Sequence, residues 1–262
     1  MYEELYERIP DAAAYMERIG LGGVELKNDR ESLDRIIYSH LTNVPFENID
    51  CWAMGKCPEL GIKKLFDKIV TRRRGGWCFE LNSLLNAFLR ELGFETYMVA
   101  ANVMAGREEI HPPAHCVIVC IIEGKKYLCD VGYGGSVPFG ALSFSGESRF
   151  GFHLEKDGFY IKLINEFSGR EEIRFKDIPA AAVELIPMNY YISQLSTSPF
   201  RNQIRVNLRL RDGSAGIIEH EFKMRRGEER IEKFIDTKDL PDILEKYFGI
   251  SEEGLVLREI GD

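Results

Sequence analysis

A cysteine, a histidine and an aspartate carry most of the chemistry that this sequence offers. Cys78 lies in the run Arg72-Arg73-Arg74-Gly75-Gly76-Trp77-Cys78-Phe79-Glu80. Two glycines permit a close backbone approach, and an amphipathic helix begins directly after them. A thiol at a helix start meets unpaired N–H groups and the positive end of the helix dipole, and both favour a thiolate. The three arginines add positive potential. This is the local context of a nucleophile. The competing reading is a small buried apolar residue.

The matching base and carboxylate lie downstream. His115 opens an apolar run, Cys116 to Ile122, that turns at Glu123-Gly124 and returns through Lys126 to Gly132. This is a hairpin pattern. A two-residue loop at Glu123-Gly124 pairs Ile122 with Lys125 and places His115 opposite Gly132. Asp130 is then the diagonal neighbour of His115 on the same face. An odd-length loop would put Asp130 on the other face. His111 is the rival histidine, four positions earlier, but only His115 abuts the hairpin that carries Asp130.

The same parity turns Cys116, Cys120 and Cys129 away from the His115–Asp130 face and makes them core cysteines. Cys51 and Cys57 have no base in view, and His40, His153 and His220 read as structural. With no C-x-x-C pair among the six cysteines, no structural metal site is expected.

These groups need rigid elements to hold them. Helices are expected over about 12–19, 31–41 and 61–70, followed by the strongest one, with Leu81, Leu84, Leu85, Phe88 and Leu92 on one stripe and Gly93 as its stop. Asn28 or Asp29 is placed to cap the second. From Glu95 to about Phe175 the pattern becomes short strands and glycine turns: 97–103, 116–122, 126–131, 159–164 and 172–175. Such a run suggests a small barrel or sandwich. A partly helical connector covers 179–191. Strands then follow at 203–210, 215–222 and 230–235, with a turn at Asp212-Gly213 and a last helix from Pro241 to Gly249. The division expected is a helical bundle over 1–92, a β-barrel over 93–199 and an α/β lid over 200–262.

Composition bounds the function. The chain has 262 residues, 45% hydrophobic and 29% charged, an ordinary globular balance. Its net charge of −8 disfavours a general nucleic-acid or membrane-surface role. No stretch approaches the ~18 consecutive apolar residues of a membrane span. The acidic run Tyr2 to Glu7 lacks the basic and apolar regions of a signal peptide, so a cytoplasmic protein with reduced thiols is expected.

Four motifs in order resemble the arylamine N-acetyltransferase family: Val44-Pro45-Phe46-Glu47-Asn48, Arg74-Gly75-Gly76-Trp77-Cys78-Phe79-Glu80, His115 before its strand, and Asp130-Val131-Gly132-Tyr133-Gly134. The resemblance covers essentially the whole chain. It implies an α+β fold with a cysteine-proteinase-like core: helical bundle, β-barrel and α/β lid. It implies a triad of Cys78, His115 and Asp130, acetyl-CoA as co-substrate with no metal, an aromatic amine or hydrazine as acceptor, and a role in xenobiotic metabolism. Gly132, Gly134 and Gly135 are then candidates to bring backbone amides to CoA, with a plain turn as the alternative. Phe46, Tyr133 and Phe200 are candidates to line the acceptor pocket, with core packing as the alternative. One departure stands out. The family's Thr-His-Pro-like stretch corresponds to Ser196-Thr197-Ser198-Pro199-Phe200, without the histidine, which puts the arrangement of the lid or cofactor end in question. Two other activities stay open: a polyketide amide synthase on the same fold, and a papain- or transglutaminase-like thiol hydrolase.

Overall fold

The computed structural model describes residues 2–261. Its N-terminal part is helical. Helix α1 (Ala12–Arg18) starts at Asp11, whose carboxylate accepts the Ala14 N–H at 3.0 Å. Helix α2 (Arg30–Asn43) starts at Asp29, which accepts from Ser32 N at 2.8 Å. A two-residue strand, β1 (Phe46–Glu47), precedes helix α3 (Ile49–Met54). Helix α4 (Ile62–Phe66) passes into a single π-helical turn, Asp67–Thr71, where the sequence suggested one helix throughout. That turn brings Lys68 to the carboxylates of Glu47, Asp50 and Glu80. Such turns interrupt helices where a side chain must be re-aimed. Helix α5 (Cys78–Glu91) follows, and Gly93 ends it at φ +85°. Leu81, Leu84, Leu85 and Phe88 of α5 are fully buried in a core they share with Leu33, Ile36 and Ile37 of α2.

Seven antiparallel strands come next: β2 (Glu95–Val103), β3 (His115–Ile122), β4 (Lys125–Cys129), β5 (Leu142–Ser143), β6 (Phe152–Asp157), β7 (Tyr160–Asn165) and β8 (Arg170–Phe175). Their order is β5-β4-β3-β2-β8-β7-β6, and β5 and β6 come together to make a nearly closed barrel. Strand β6 was not expected from the sequence. Helices α6 (Leu185–Gln194) and α7 (Pro199–Asn202) lead to a second sheet of β9 (Arg205–Leu210), β10 (Gly213–Ile218), β11 (Glu221–Arg226) and β12 (Glu229–Phe234), closed by helix α8 (Leu240–Phe248).

The expected strand over 215–222 is two strands. The chain reverses at Glu219-His220, with Glu219 at φ +53°. The second sheet also takes in β1, with Phe46 paired to Asn207 and Glu47 to Val206. The N-terminal segment is thereby sewn to the C-terminal sheet, and Ile49 and Trp52 of α3 share its core with Val206, Ile217, Phe222 and Phe248. The architecture is α+β. Among the described residues no helix is long and apolar enough to cross a membrane.

Candidate active site

The start of α5 is tightly held. Trp77 precedes Cys78 as the N-cap, and Glu80 reaches back to accept the Trp77 N–H at 3.0 Å. The Trp77 indole N–H donates to Asn189 Oδ1 at 2.9 Å. Gly75 is required by sterics, since a Cβ there would lie 2.0 Å from the Pro45 carbonyl oxygen. The arginines do not serve the thiol in the way expected of them. Arg74 is buried and spends its charge on Glu47, at 2.7 Å, and Asp50, at 3.0 Å. Arg72 pairs with Asp67 at 2.9 Å. The cation left to face Cys78 is an imidazole.

That imidazole comes from the hairpin. Glu123 and Gly124 both have positive φ, and Ile122 pairs with Lys125 in the expected register. The ladder runs to Ile118–Cys129, and Asp130 turns off its end. His115 Nε2 lies 2.7 Å from Asp130 Oδ2, both residues buried. The second oxygen, Oδ1, accepts from Asn82 Nδ2 at 2.9 Å and from Gly132 N at 2.8 Å. The Cys78 thiol lies close enough to the ring to favour its charged form. The sulfur also lies 3.8 Å from the Ala114 carbonyl oxygen. Burial lowers the His115 pKa, but the Asp130 charge and hydrogen bond, together with Cys78, more than offset this and hold it at about 10. The ring is therefore an imidazolium at neutral pH. His111 lies apart from this pair, exposed on the wall of a nearby cleft.

The other five thiols sit differently. Burial pushes Cys51 and Cys120 up to about 12 and raises Cys57, Cys116 and Cys129. All five stay protonated at neutral pH and are poor nucleophiles.

Asn82 was not singled out in the sequence. It lies one helical turn after Cys78, fully buried on an otherwise apolar face. It donates to Asp130 and to the Cys116 carbonyl, at 2.8 Å, and accepts from Val131 N at 3.0 Å. The detectable signal was a polar side chain at i+4 from the thiol, inside a leucine stripe.

A cleft of about 700 Å3, lined by Ala114 and by Tyr133 next to His115, opens between the barrel and the second sheet. Phe46, Tyr133 and Phe200 line it, as do Gly134 and Gly135. Phe200 packs edge-on to Trp77 at 5.8 Å, and Tyr133 edge-on to His115 at 5.6 Å. Gly132 does not line the cleft. A Cβ on it would sit 2.6 Å from Cys78 Cα, and its N–H is taken by Asp130. Its role is to let the end of β4 close onto the helix start, which leaves no amide for a cofactor. In the stretch that lacks the histidine, Ser198 caps α7, accepting the Phe200 N–H at 3.2 Å, and so seats Phe200 over the site.

A family model described as N-acetyltransferase matches residues 29–254. The chain belongs to the arylamine N-acetyltransferase family. It is 27% identical to human arylamine N-acetyltransferase 1, across 96% of this chain and 98% of the human one. The arylamine N-acetyltransferase of Mycobacterium smegmatis superposes with a TM-score of 0.82 at 26% identity, over 92% of each chain. That of Mycobacterium marinum, solved in complex with CoA, superposes at 0.83 with 24% identity, over 92% of this chain and 93% of that one. Members of the arylamine N-acetyltransferase family are acyltransferases, and this chain is an enzyme of that class.

Proposed function

We propose that the protein transfers an acetyl group from acetyl-CoA to the nitrogen of an aromatic amine or hydrazine, through an acetyl-Cys78 intermediate. The observation that carries this is the buried relay of Cys78, His115 and Asp130 beside an aromatic-walled cleft. His115 holds the Cys78 thiolate as one half of an ion pair. Attack on the thioester carbonyl forms a tetrahedral oxyanion. The Cys78 N–H, at the first position of α5, has no intrahelical partner and is a donor for it. The CoA thiolate then leaves, taking a proton from His115. When the amine attacks acetyl-Cys78, His115 accepts its proton, and Asp130 stabilises the imidazolium formed. Two half-reactions through one covalent intermediate give ping-pong kinetics.

Support for the co-substrate comes from the CoA-bound relative and from the cleft itself. Its lining includes the exposed residues Gly135 and Ser136 and the cations Arg107, Arg205 and Lys223, groups suited to phosphates. Aromatic walls would keep water from the acetyl-enzyme. In this reading residues 1–92 supply the nucleophile, 93–199 the base and carboxylate, and 200–262 the lid. Cytoplasmic xenobiotic metabolism is the role proposed with it.

Acetyl-CoA alone should acetylate the protein once, and peptide mapping should find the group on Cys78. Label on Cys51 or Cys116 with Cys78 free would refute the assignment. Asn82→Ala should cost about 1–3 kcal/mol in urea unfolding, because Val131 N–H and Asp130 lose a buried partner. It should also slow transfer about tenfold or more, by loosening Asp130. A rate near wild type would show that Asp130 is held without it.

A further inference from the structure

A para-substituted benzene ring already spans the inner end of the cleft. It is the side chain of Tyr133. Its ring meets His115 edge-on, and its hydroxyl donates to Glu172 Oε2 at 3.0 Å. Glu172 lies on β8, lines the cleft and is only 9% exposed. Its Oε1 accepts from Asn165 Nδ2, on β7, at 2.9 Å. Its main-chain carbonyl accepts from Met104 N at 2.8 Å and Ala105 N at 3.0 Å. The carboxylate is a fixed part of the wall, not a mobile surface charge.

An arylamine lying alongside Tyr133 with its nitrogen at the His115 end, where the proton is taken, carries its para substituent to Glu172, because Tyr133 spans the interval from His115 to Glu172. We propose that Glu172 is a specificity-determining residue for the acceptor. It selects amines whose para position bears a cation or a hydrogen-bond donor, and disfavours those with a carboxylate or sulfonate there. This rests on the acetyl-transfer reading above. A carboxylate has lone pairs for more than two donors, so Glu172 retains capacity for an N–H of the acceptor. Of the cleft's cations, Arg107 is the one whose charge reaches the Tyr133 hydroxyl, and it does so from an exposed position. Lys223 is exposed and paired with Glu221 at 2.6 Å, and Arg205 belongs to the second sheet.

The test uses acetyl-enzyme made with acetyl-CoA and mixed separately with 4-(aminomethyl)aniline and 4-aminobenzoate, with loss of the acetyl group followed by intact mass. Wild type should react about tenfold or more faster with the cationic amine, since charge of either sign at short range in a part-desolvated cleft is worth that much. Glu172→Gln should collapse the ratio, and Tyr133→Phe, which keeps the carboxylate, should preserve the preference. Comparing the ratios between variants cancels the intrinsic reactivity of each amine. Should Glu172→Gln not fold, the meta isomers with wild type carry the test, because they fall short of Glu172 and should show little charge preference. A wild-type ratio near unity, one that Glu172→Gln leaves unchanged, or one that the meta isomers reproduce overturns the assignment while acetyl transfer stands. Failure of wild type to form acetyl-enzyme at all overturns both.

Discussion

Asp130→Asn should lower acetyl transfer about ten-thousandfold, the loss that an amide in this position causes in a serine protease triad. The hydrogen bonds say why. Asp130 Oδ1 receives two donors, Asn82 Nδ2 and Gly132 N. An asparagine must keep its oxygen there and turn its amide N–H2 toward His115 Nε2. That nitrogen must then accept, so the proton moves to Nδ1, the other ring nitrogen. A ring protonated there and neutral cannot take the Cys78 proton. The imidazolium also loses its charged partner. The effect on stability has a defined sign. A histidine whose folded pKa is raised adds stability that is fully present below its unfolded value of about 6.5. That stability is lost as pH rises through about 10 in the folded protein. The variant should therefore show a flatter stability curve between those limits in urea titrations. Transfer within tenfold of wild type, with the fold intact, would mean that another group orients the ring.

The approach of His115 and Asp130 to the start of α5 was legible because these residues lie on elements with strict local rules. A glycine pair before a leucine stripe marks a helix start. A two-residue turn fixes which residues of a hairpin share a face, and the observed pairing of Ile122 with Lys125 follows it. What escaped the sequence depends on partners far along the chain. The arginines before Cys78 read as a positive field for the thiol, because Glu47 and Asp50, which absorb Arg74, lie more than twenty residues away. Gly132 read as an open amide, because nothing local shows that β4 closes onto Cys78. The 215–222 run read as one strand because its turn at Glu219-His220 contains no glycine, asparagine or proline, and Ala215, Ile217 and Phe222 keep an apolar pattern across it. Strand β1 is two residues long, too short for any periodicity.

The same distant carboxylates set up the largest expected loss of stability. Lys68, carried inward by the π-helical turn, lies 2.9 Å from Glu80, 3.0 Å from Asp50 and 3.7 Å from Glu47. Arg74 spends its charge on Glu47 and Asp50. Lys68→Met therefore strands Glu80, a fully buried carboxylate that also holds the Trp77 N–H at the start of α5. Removing one partner of a buried pair costs about 3–5 kcal/mol, because the remaining charge is left uncompensated. Urea unfolding near neutral pH should show that loss. Lys68→Met combined with Glu80→Gln should recover much of it, since a glutamine still accepts from Trp77 without carrying a charge. Acid should rescue the single variant as well. Burial already raises the Glu80 pKa, and without Lys68 it rises further. The folded variant then binds a proton more readily than the unfolded chain. Its stability should fall as pH rises from the unfolded glutamate value of about 4.3 through the raised folded value, and recover as pH is lowered. A double variant no more stable than Lys68→Met, with no relief in acid, would show that the cost comes from lost packing of the lysine stem and not from a stranded charge beneath Cys78.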